Sequence, residues 1–156
     1  MSITELEGQG LERMDEAAIG EFLAAQSIGV LGLPAGEIPY LVPMSYAFGG
    51  ESVYFTYLLG ESSRKRRLSE QTDRAGFLVY AAETAFSWRS VLLGGALSAI
   101  PEAEYPDEAV RTAAWRPELF ERAAASGEIA VYELAIDDRS GIRHTGLPAG
   151  FQDTDG

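Results

Sequence analysis

The segment YLVPMSYAFGGESVYFTYL, residues 40–58, carries the strongest fold signal in this chain of 156 residues. Two runs rich in aromatic and β-branched residues, 40–48 and 52–58, flank the pair Gly49-Gly50. This pattern predicts two antiparallel strands joined by a tight hairpin, because glycine readily adopts the positive φ angles of such turns. Pro43 has no backbone N–H to donate, so we expect the first strand to lie at a sheet edge or to contain a bulge.

Further strands are expected on both sides of this hairpin. Short apolar or alternating runs predict strands over residues 27–33, 75–81, 86–100 and 128–137. The pair Gly94-Gly95 in the middle of the longest run predicts a β-bulge. Most connections are too short for parallel crossovers, so we expect six antiparallel strands that curl into a small barrel.

Three helical segments interrupt the predicted strands. Residues 14–25 offer Asp15 as an N-cap and carry apolar residues at helical spacing on one face. Residues 62–72 are predicted to form a second helix. Residues 106–126 are predicted to form a third, which Pro117 divides because proline cannot continue the hydrogen-bond ladder.

The length predicts a single domain with a substantial core. We expect a loose arm over residues 1–13, the folded domain over 14–137, and a turn-rich tail over 138–156. No apolar run approaches the length of a membrane span, and the first residues lack the pattern of a secretory signal. A cytoplasmic protein without a membrane partner is therefore predicted.

The charge of the chain restricts its partners. Asp and Glu total 24 against 12 Lys and Arg, which gives a formal net charge of -12. Such a chain repels phosphate backbones, so nucleic acid is not expected as a partner. Proteins from a salt-rich cytoplasm are typically acidic and poor in lysine. Because this chain is acidic and has a single lysine, we predict a halophilic source.

Few residues are suited to catalysis without a cofactor. The chain has one histidine, His144, and no cysteine. The absence of cysteine excludes thiolate chemistry and cysteine metal sites. No nucleophile elbow, zinc-protease motif, P-loop or dinucleotide fingerprint is present. If the protein is an enzyme, the reactive chemistry is expected to belong to a bound cofactor.

Four consecutive cations, residues 64–67, follow the serine pair Ser62-Ser63 that begins the second predicted helix. Helical spacing places Arg64 and Lys65 on the side of Leu68, which should face the core, and places Arg66 roughly opposite. Donor groups at a helix N-terminus bind anions, so these residues predict a phosphate site. The alternative is a solvated basic face that nearby glutamates neutralise.

The ordered set of these motifs resembles the FMN-binding split-barrel family, the pyridoxamine 5'-phosphate oxidase-like flavoproteins. Its apolar-Pro-x-Ser-Tyr strand corresponds to VPMSY (42–46), and a basic residue four before a leucine corresponds to Arg64 and Leu68. The segments DRAGFLVY (73–80) and WRSVLLGGALSAI (88–100) resemble the following strands. The sequence is similar in particular to the nitroimidazole-resistance-like branch. The resemblance implies a six-stranded antiparallel split β-barrel with flanking helices.

The resemblance also implies which residues contact FMN. The isoalloxazine ring would lie along the strand with Val42, Pro43, Met44 and Ser45. The ring edge and ribityl chain would meet Thr56 and Tyr57. The phosphate would be held by Ser62, Ser63, Arg64 and Lys65. A further strand would reach the flavin, often across a dimer interface, with Trp88, Arg89 and Ser90.

The resemblance implies an FMN-dependent oxidoreductase that acts on a small molecule with a separate electron donor, and a homodimer with the flavin at the interface. The alternative is a split barrel that binds flavin or haem without turnover. His144 would be a candidate haem ligand in that case. Neighbouring strand residues point to opposite faces, so we expect only one of Trp88 and Arg89 at a given flavin.

Overall fold

The computed structural model describes residues 10–58, 64–105 and 129–146. The described residues form eight strands and two α-helices, with a short 3₁₀ helix at Glu102–Glu104. The strands are β1 Leu11–Arg13, β2 Ile28–Leu33, β3 Tyr40–Ser45, β4 Ala47–Phe48, β5 Ser52–Leu58, β6 Arg74–Thr84, β7 Ser87–Ile100 and β8 Ile129–Thr145. The helices are α1 Glu16–Ala25 and α2 Arg64–Gln71.

One antiparallel sheet contains all these strands, in the order β3-β2-β6-β7-β8-β5-β4, with β1 paired to β8. The two ends of this order, β3 and β4, are separated in the chain by Tyr46 alone. The sheet must therefore curl until its ends approach each other. The predicted mainly β, antiparallel split barrel with flanking helices is confirmed.

Tyr46 divides the strand that was predicted over residues 40–48 into two. Its backbone N–H donates to the carbonyl of Ser27 at 3.1 Å, and its hydroxyl donates to the carbonyl of Leu23 at 2.6 Å. Its buried ring meets Phe77 edge to face at 5.2 Å. The tertiary contacts of Tyr46 thus set the corner at which the sheet changes direction, and short-range alternation gives no sign of them.

The barrel interior is filled by the alternate residues of the strands. Val53, Phe55 and Tyr57 of β5 are fully buried, as are Phe77 and Val79 of β6. Helix α1 covers one side of this core with three buried residues, Ile19, Phe22 and Leu23. It begins as predicted, because the side chain of Asp15 accepts a hydrogen bond from the N–H of Ala18 at 2.8 Å.

Strand β8 is longer than predicted. It continues past residue 137 to Thr145. The residues beyond 137, which were predicted to form turns, pair with β7 on one side and with Leu11–Arg13 on the other. The prediction of turns over residues 138–145 and of a loose arm over residues 11–13 was wrong. These residues lack the apolar alternation that identifies a strand in sequence, because they are mostly polar and are held by backbone pairing.

One local prediction is confirmed and another is corrected. Pro43 lies in β3, which is at one end of the strand order, so the missing N–H breaks no hydrogen bond to a neighbour on the outer side of that strand. The β7–β8 register shifts between Gly94 and Gly95, where a bulge was predicted, but the extra residue is Asp137, so the bulge belongs to β8 and not to β7. The helix predicted over residues 106–126 lies outside the described residues. Within the described ranges, no helix combines the length and apolar character that a membrane span requires.

Candidate functional site

Helix α2 places its cations as the spacing predicted. Leu68 is partly buried against the core and Ser69 is buried, whereas Arg66 and Arg67 are exposed. Arg66 donates to Glu70, one turn further on, at 3.1 Å. The side of the helix that faces the barrel therefore carries Lys65, and the opposite side carries a solvated ion pair.

Lys65 lies in an unusual setting for an amine. Its Nζ is 3.6 Å from the sulfur of Met44 and 4.8 Å from the centre of the Tyr57 ring. The side chain is half-buried, and this desolvation lowers its pKa. A thioether and an aromatic face stabilise an ammonium only weakly, so an anion that reached this position would be strongly favoured.

A buried hydroxyl pair fixes the ring beneath Lys65. The Tyr57 and Ser69 hydroxyl oxygens are 2.8 Å apart, and Ser69 donates to the carbonyl of Lys65 at 2.7 Å. Because the Ser69 proton is used in that bond, Tyr57 is the donor to Ser69. Burial raises the pKa of Tyr57 to about 12, so the phenol stays protonated and keeps this role at neutral pH.

Arg64 has a similar arrangement one residue earlier. Its guanidinium carbon lies 4.9 Å from the centre of the Tyr40 ring. Among the described residues, neither Arg64 nor Lys65 lies within ion-pair distance of a carboxylate, although ion pairs do form at Arg66, Arg74 and Arg143. Positive charge is therefore left uncompensated at the start of α2, in a chain with twice as many acidic as basic residues.

The structure divides the other predicted cofactor contacts between two faces of the sheet. On the inner face Val42, Met44 and Tyr57 lie near α2 or pack against the core. On the outer face of their strands lie Pro43, Ser45 and Thr56. The chain thus brings Met44, Tyr57 and Lys65 together, whereas Pro43, Ser45 and Thr56 lie on the other face of the sheet. Ser62 and Ser63 lie outside the described residues.

The residues predicted on β7 are also divided. Arg89 shares a face with the buried Val91 and lies over the Phe22 ring of α1 at 5.1 Å. Trp88 and Ser90 occupy the outer face, and the Trp88 indole donates to the carbonyl of Ala85 at 3.2 Å. As expected from strand geometry, Trp88 and Arg89 lie on opposite faces of the sheet.

His144 is held in one tautomer by the β6–β7 turn. Its Nδ1 lies 2.6 Å from the carbonyl oxygen of Phe86, which can only accept, and 3.4 Å from the backbone nitrogen of Gly146, which can only donate. The contact with Phe86 is much the shorter, so we assign the proton to Nδ1. The rings of Phe86 and Trp88 flank the imidazole at 5.9 Å and 6.2 Å. In the neutral ring this leaves the lone pair of Nε2 as the acceptor or ligand.

Sequence reasoning missed two residues of the site, Tyr40 and Ser69. Tyr40 shares a strand face with Val42 and Met44, and this alternation could have placed it beside the cations. Ser69 follows Lys65 by four residues, which is the spacing for a hydroxyl that bonds back to a helix carbonyl. Their roles depend on Arg64 and Tyr57, which come from elsewhere in the chain.

Together, the curled sheet and the uncompensated cations define a split-barrel protein with a candidate site for a phosphate-bearing ligand. Residues 15–143 match the sequence profile of the pyridoxamine 5'-phosphate oxidase family. The chain belongs to this family. Among curated protein sequences, none matches the chain.

Several solved structures share the fold. An FAD-binding protein from Mesorhizobium loti superposes with a TM-score of 0.71 at 19% identity, over 86% of this chain and 99% of that one. A candidate 5-nitroimidazole antibiotic resistance protein from Bacteroides thetaiotaomicron gives 0.63 at 17%, over 89% and 91%. An FAD and heme binding protein from Mycobacterium smegmatis gives 0.64 at 18%, over 90% and 76%. At these identities the likeness concerns the fold alone.

Proposed function

We propose that the protein binds FMN and uses it as an oxidoreductase, with the flavin phosphate at the start of α2. The observation that carries this proposal is the pair Arg64 and Lys65, each held on a tyrosine ring and neither paired with a carboxylate among the described residues. Membership of the pyridoxamine 5'-phosphate oxidase family supports a flavin as the phosphate-bearing ligand.

The residues of the site suit a phosphate monoester. Arg64 is exposed and offers a fork of donors, whereas the half-buried Lys65 offers a point charge in a less polar setting. Tyr40 and Tyr57 hold these cations in place without neutralising them. A flavin, when bound, supplies hydride and electron transfer, so the chain itself needs to bind and orient the cofactor and to exclude water.

The first test compares cations on the two sides of α2. Replacing Arg64 and Lys65 together with alanine removes two charge-assisted contacts and should weaken FMN binding by about 100-fold or more, measured by fluorescence titration. The double replacement of Arg66 and Arg67 with alanine is the matched control, because it removes an equal charge from exposed positions of the same helix, and it should change affinity less than about threefold. Equal losses in the two proteins would contradict the site.

The second test concerns the cofactor and its turnover. Mass spectrometry of the cofactor released from purified protein should give FMN, and a mass of FAD would correct this part of the proposal. Reduced nicotinamide, added without oxygen, should bleach the flavin absorbance. A bound flavin that no nicotinamide or other two-electron donor reduces would indicate a protein that binds the cofactor without catalysis.

A second candidate function, haem binding, is favoured by the position of His144. A histidine that ligates a metal commonly donates its other ring N–H to a carbonyl, and the 2.6 Å contact with Phe86 meets that requirement. One of the structures with this fold is described as binding FAD and heme. The imidazole would supply the axial nitrogen, and Phe86 and Trp88 the apolar surroundings.

Haemin titration tests this candidate separately from the flavin site. Haem binding through His144 should give a Soret band that His144→Ala weakens strongly and that the Arg64, Lys65 double variant leaves unchanged. A Soret band that persists in His144→Ala would show that the histidine is not the ligand. If haemin produces no Soret band with the wild-type chain, the candidate fails.

A further inference from the structure

Lys65 is the single lysine of the chain, so it carries the one side-chain amine that an acylating reagent can modify. Among the described residues, the hydrogen-bond partner of its Nζ is the sulfur of Met44 at 3.6 Å, and the centre of the Tyr57 ring lies 4.8 Å away. A thioether is a weak acceptor, and burial raises the pKa of Tyr57 to about 12, so the phenol brings no negative charge. Within the described part of the chain, the amine is therefore positioned by two contacts without being committed to a salt bridge.

The same contacts make this amine more reactive than an ordinary surface lysine. An amine attacks a carbonyl carbon only in its uncharged form, because protonation occupies the lone pair of the nitrogen. Lys65 is half-buried, and this desolvation lowers its pKa, which increases the uncharged fraction at neutral pH. Partly desolvated lysines serve as nucleophiles in proteins for this reason.

Positive charge around Lys65 would attract an anionic reagent. The guanidinium of Arg64 is exposed over the Tyr40 ring at 4.9 Å, and Arg67 is exposed as well. Tyr40 and Met44 lie on the same face of β3, so the Arg64 and Lys65 side chains extend over one strand face. A phosphate group would thus be drawn to the start of α2, in a chain whose net charge of -12 repels anions elsewhere.

We propose that Lys65 is a site of acylation by acyl phosphates, the class of compounds in which a phosphate oxygen is bonded to a carbonyl carbon. The phosphate would bind at the cationic start of α2 and bring the carbonyl carbon near to Nζ. The uncharged amine attacks this carbon, a C–N bond forms, and the C–O bond to the phosphate breaks. The phosphate leaves with the electron pair of that bond and the amine proton passes to solvent, so the products are an amide and free phosphate and no oxidant or reductant takes part.

Acylation would remove the charge of Lys65 from the candidate phosphate site. The amide nitrogen of an acylated lysine carries no charge, and Arg64 alone would remain to hold a phosphate on this face of β3. The acyl group also adds bulk beside Met44 and Tyr57, which are both buried. We therefore expect acylation to weaken FMN binding. This effect on FMN rests on the proposed function, whereas the acylation itself requires no flavin.

Acetyl phosphate tests the acylation on the cofactor-free chain at neutral pH, with the modified peptides quantified by mass spectrometry. Lys65 should be acetylated at least about 10-fold faster than in a synthetic peptide of residues 60–70 with a blocked N-terminus, because the fold adds binding and desolvation. This peptide keeps the four cations but lacks Met44 and Tyr57. Inorganic phosphate should protect Lys65 and leave the α-amino group of the same chain unprotected, which makes that group an internal reference.

Two variants and a second reagent separate guidance by the phosphate from simple accessibility of the amine. Arg64→Ala should slow the acetylation of Lys65 by acetyl phosphate at least about fivefold, because it removes a charge-assisted contact with the leaving group. Arg67→Ala removes an equal charge from another exposed position of the helix and should change the rate less than about twofold. An uncharged reagent, the N-hydroxysuccinimide ester of acetic acid, should acetylate Lys65 at similar rates in the wild type and in both variants.

Equal rates for Lys65 in the folded chain and in the peptide, or a Lys65 that inorganic phosphate does not protect, would overturn the proposed acylation. FMN titration of the acetylated chain, shown by circular dichroism to be folded, tests the consequence, and its affinity should be at least about 10-fold weaker than that of the unmodified chain. Equal affinities would overturn the effect on the cofactor. If the unmodified chain binds no FMN, the proposed function fails, while acetylation of Lys65 and its protection by phosphate would still be observed.

Discussion

Lys65, the only lysine of the chain, illustrates how one residue gains a specific environment from two strands and from its own helix. Met44 and Tyr57 come from two strands, and Ser69 from the next turn of α2. The amine is partly desolvated and has no carboxylate among the described residues. A partly desolvated ammonium without a carboxylate partner would be stabilised mainly by a bound anion.

The Tyr57 and Ser69 hydroxyls should respond unequally to mutation. Ser69→Ala leaves the buried Tyr57 hydroxyl without an acceptor and should cost about 1–3 kcal/mol of unfolding free energy. Tyr57→Phe removes the donor, keeps the ring under Lys65, and leaves Ser69 bonded to the helix carbonyl, so it should cost about 1 kcal/mol. Urea unfolding measures both, and a larger loss for Tyr57→Phe would contradict the assigned donor.

Alkaline pH should unfold the protein through its buried phenols. Burial raises the pKa of Tyr46 and of Tyr57 from 10.0 to about 12. Between these values the unfolded chain releases protons that the folded chain keeps, so the stabilisation present below pH 10 is lost as pH rises towards 12. Urea titrations across this range should show falling stability, and Tyr46→Phe should flatten the slope. A flat profile in the wild type would contradict the buried protonated state.

At the scale of the elements, β7 and β8 approach closely where β8 bulges at Asp137, opposite Gly94 and Gly95. A Cβ at Gly95 would collide with the carbonyl of Ala135, whereas one at Gly94 would meet nothing closer than 3.8 Å. The register shift lies between these two residues. Two adjacent glycines that look equivalent in sequence therefore have different roles. Gly95 allows close contact with β8, whereas Gly94 faces outward with space around it.

Alanine substitution should separate the two glycines. Gly95→Ala forces β7 and β8 apart and should cost about 3 kcal/mol of unfolding free energy, because an overpacked backbone contact cannot relax through a rotamer change. Gly94→Ala should change stability by less than about 1 kcal/mol. Denaturant unfolding at low protein concentration measures both, and similar losses would show that the bulge is not where the register places it.

At the scale of the whole molecule, the net charge of -12 is the dominant electrostatic property. In each described ion pair, both side chains are about half exposed to solvent, so these pairs contribute little to stability. Repulsion among the remaining carboxylates is long-ranged and is screened by salt. A protein of this composition should gain stability as ionic strength rises, as expected of a halophilic source.

Thermal unfolding against potassium chloride concentration tests this expectation. The melting temperature should rise steadily from low salt towards about molar salt, because the Debye length falls from about 30 Å at 0.01 M to about 3 Å at 1 M. Potassium sulfate at matched ionic strength separates screening from effects on apolar surface. A protein that is most stable without added salt would count against both the repulsion and the halophilic source.

The local parts of the fold could be predicted from sequence because short-range rules govern them. Asp15 caps α1 and Pro43 lies in an end strand, each from the conformational limits of one residue type. The glycine pair at 94 and 95 indicated where the register shifts, but not that the extra residue, Asp137, lies in β8. The side of α2 that carries Lys65 followed from helical spacing. Strand β1 and the end of β8 could not be predicted, because polar residues held by pairing lack an alternating pattern.

The antiparallel strands, the turn at residues 49–50 and the cationic start of α2 follow from the sequence alone. These depend on neighbours in the chain and on periodicity. The hairpin predicted at that turn is shorter than expected, because only Ala47 and Phe48 of β4 pair with β5, whereas β3 pairs with β2. The tertiary contacts were needed to show that Tyr46 forms the corner of the barrel and that Tyr40 and Tyr57 lie under the cations. They also place Pro43 and Trp88 on the outer side of the sheet. The reason is that these contacts join residues far apart in sequence, and curling of the sheet is what brings them together.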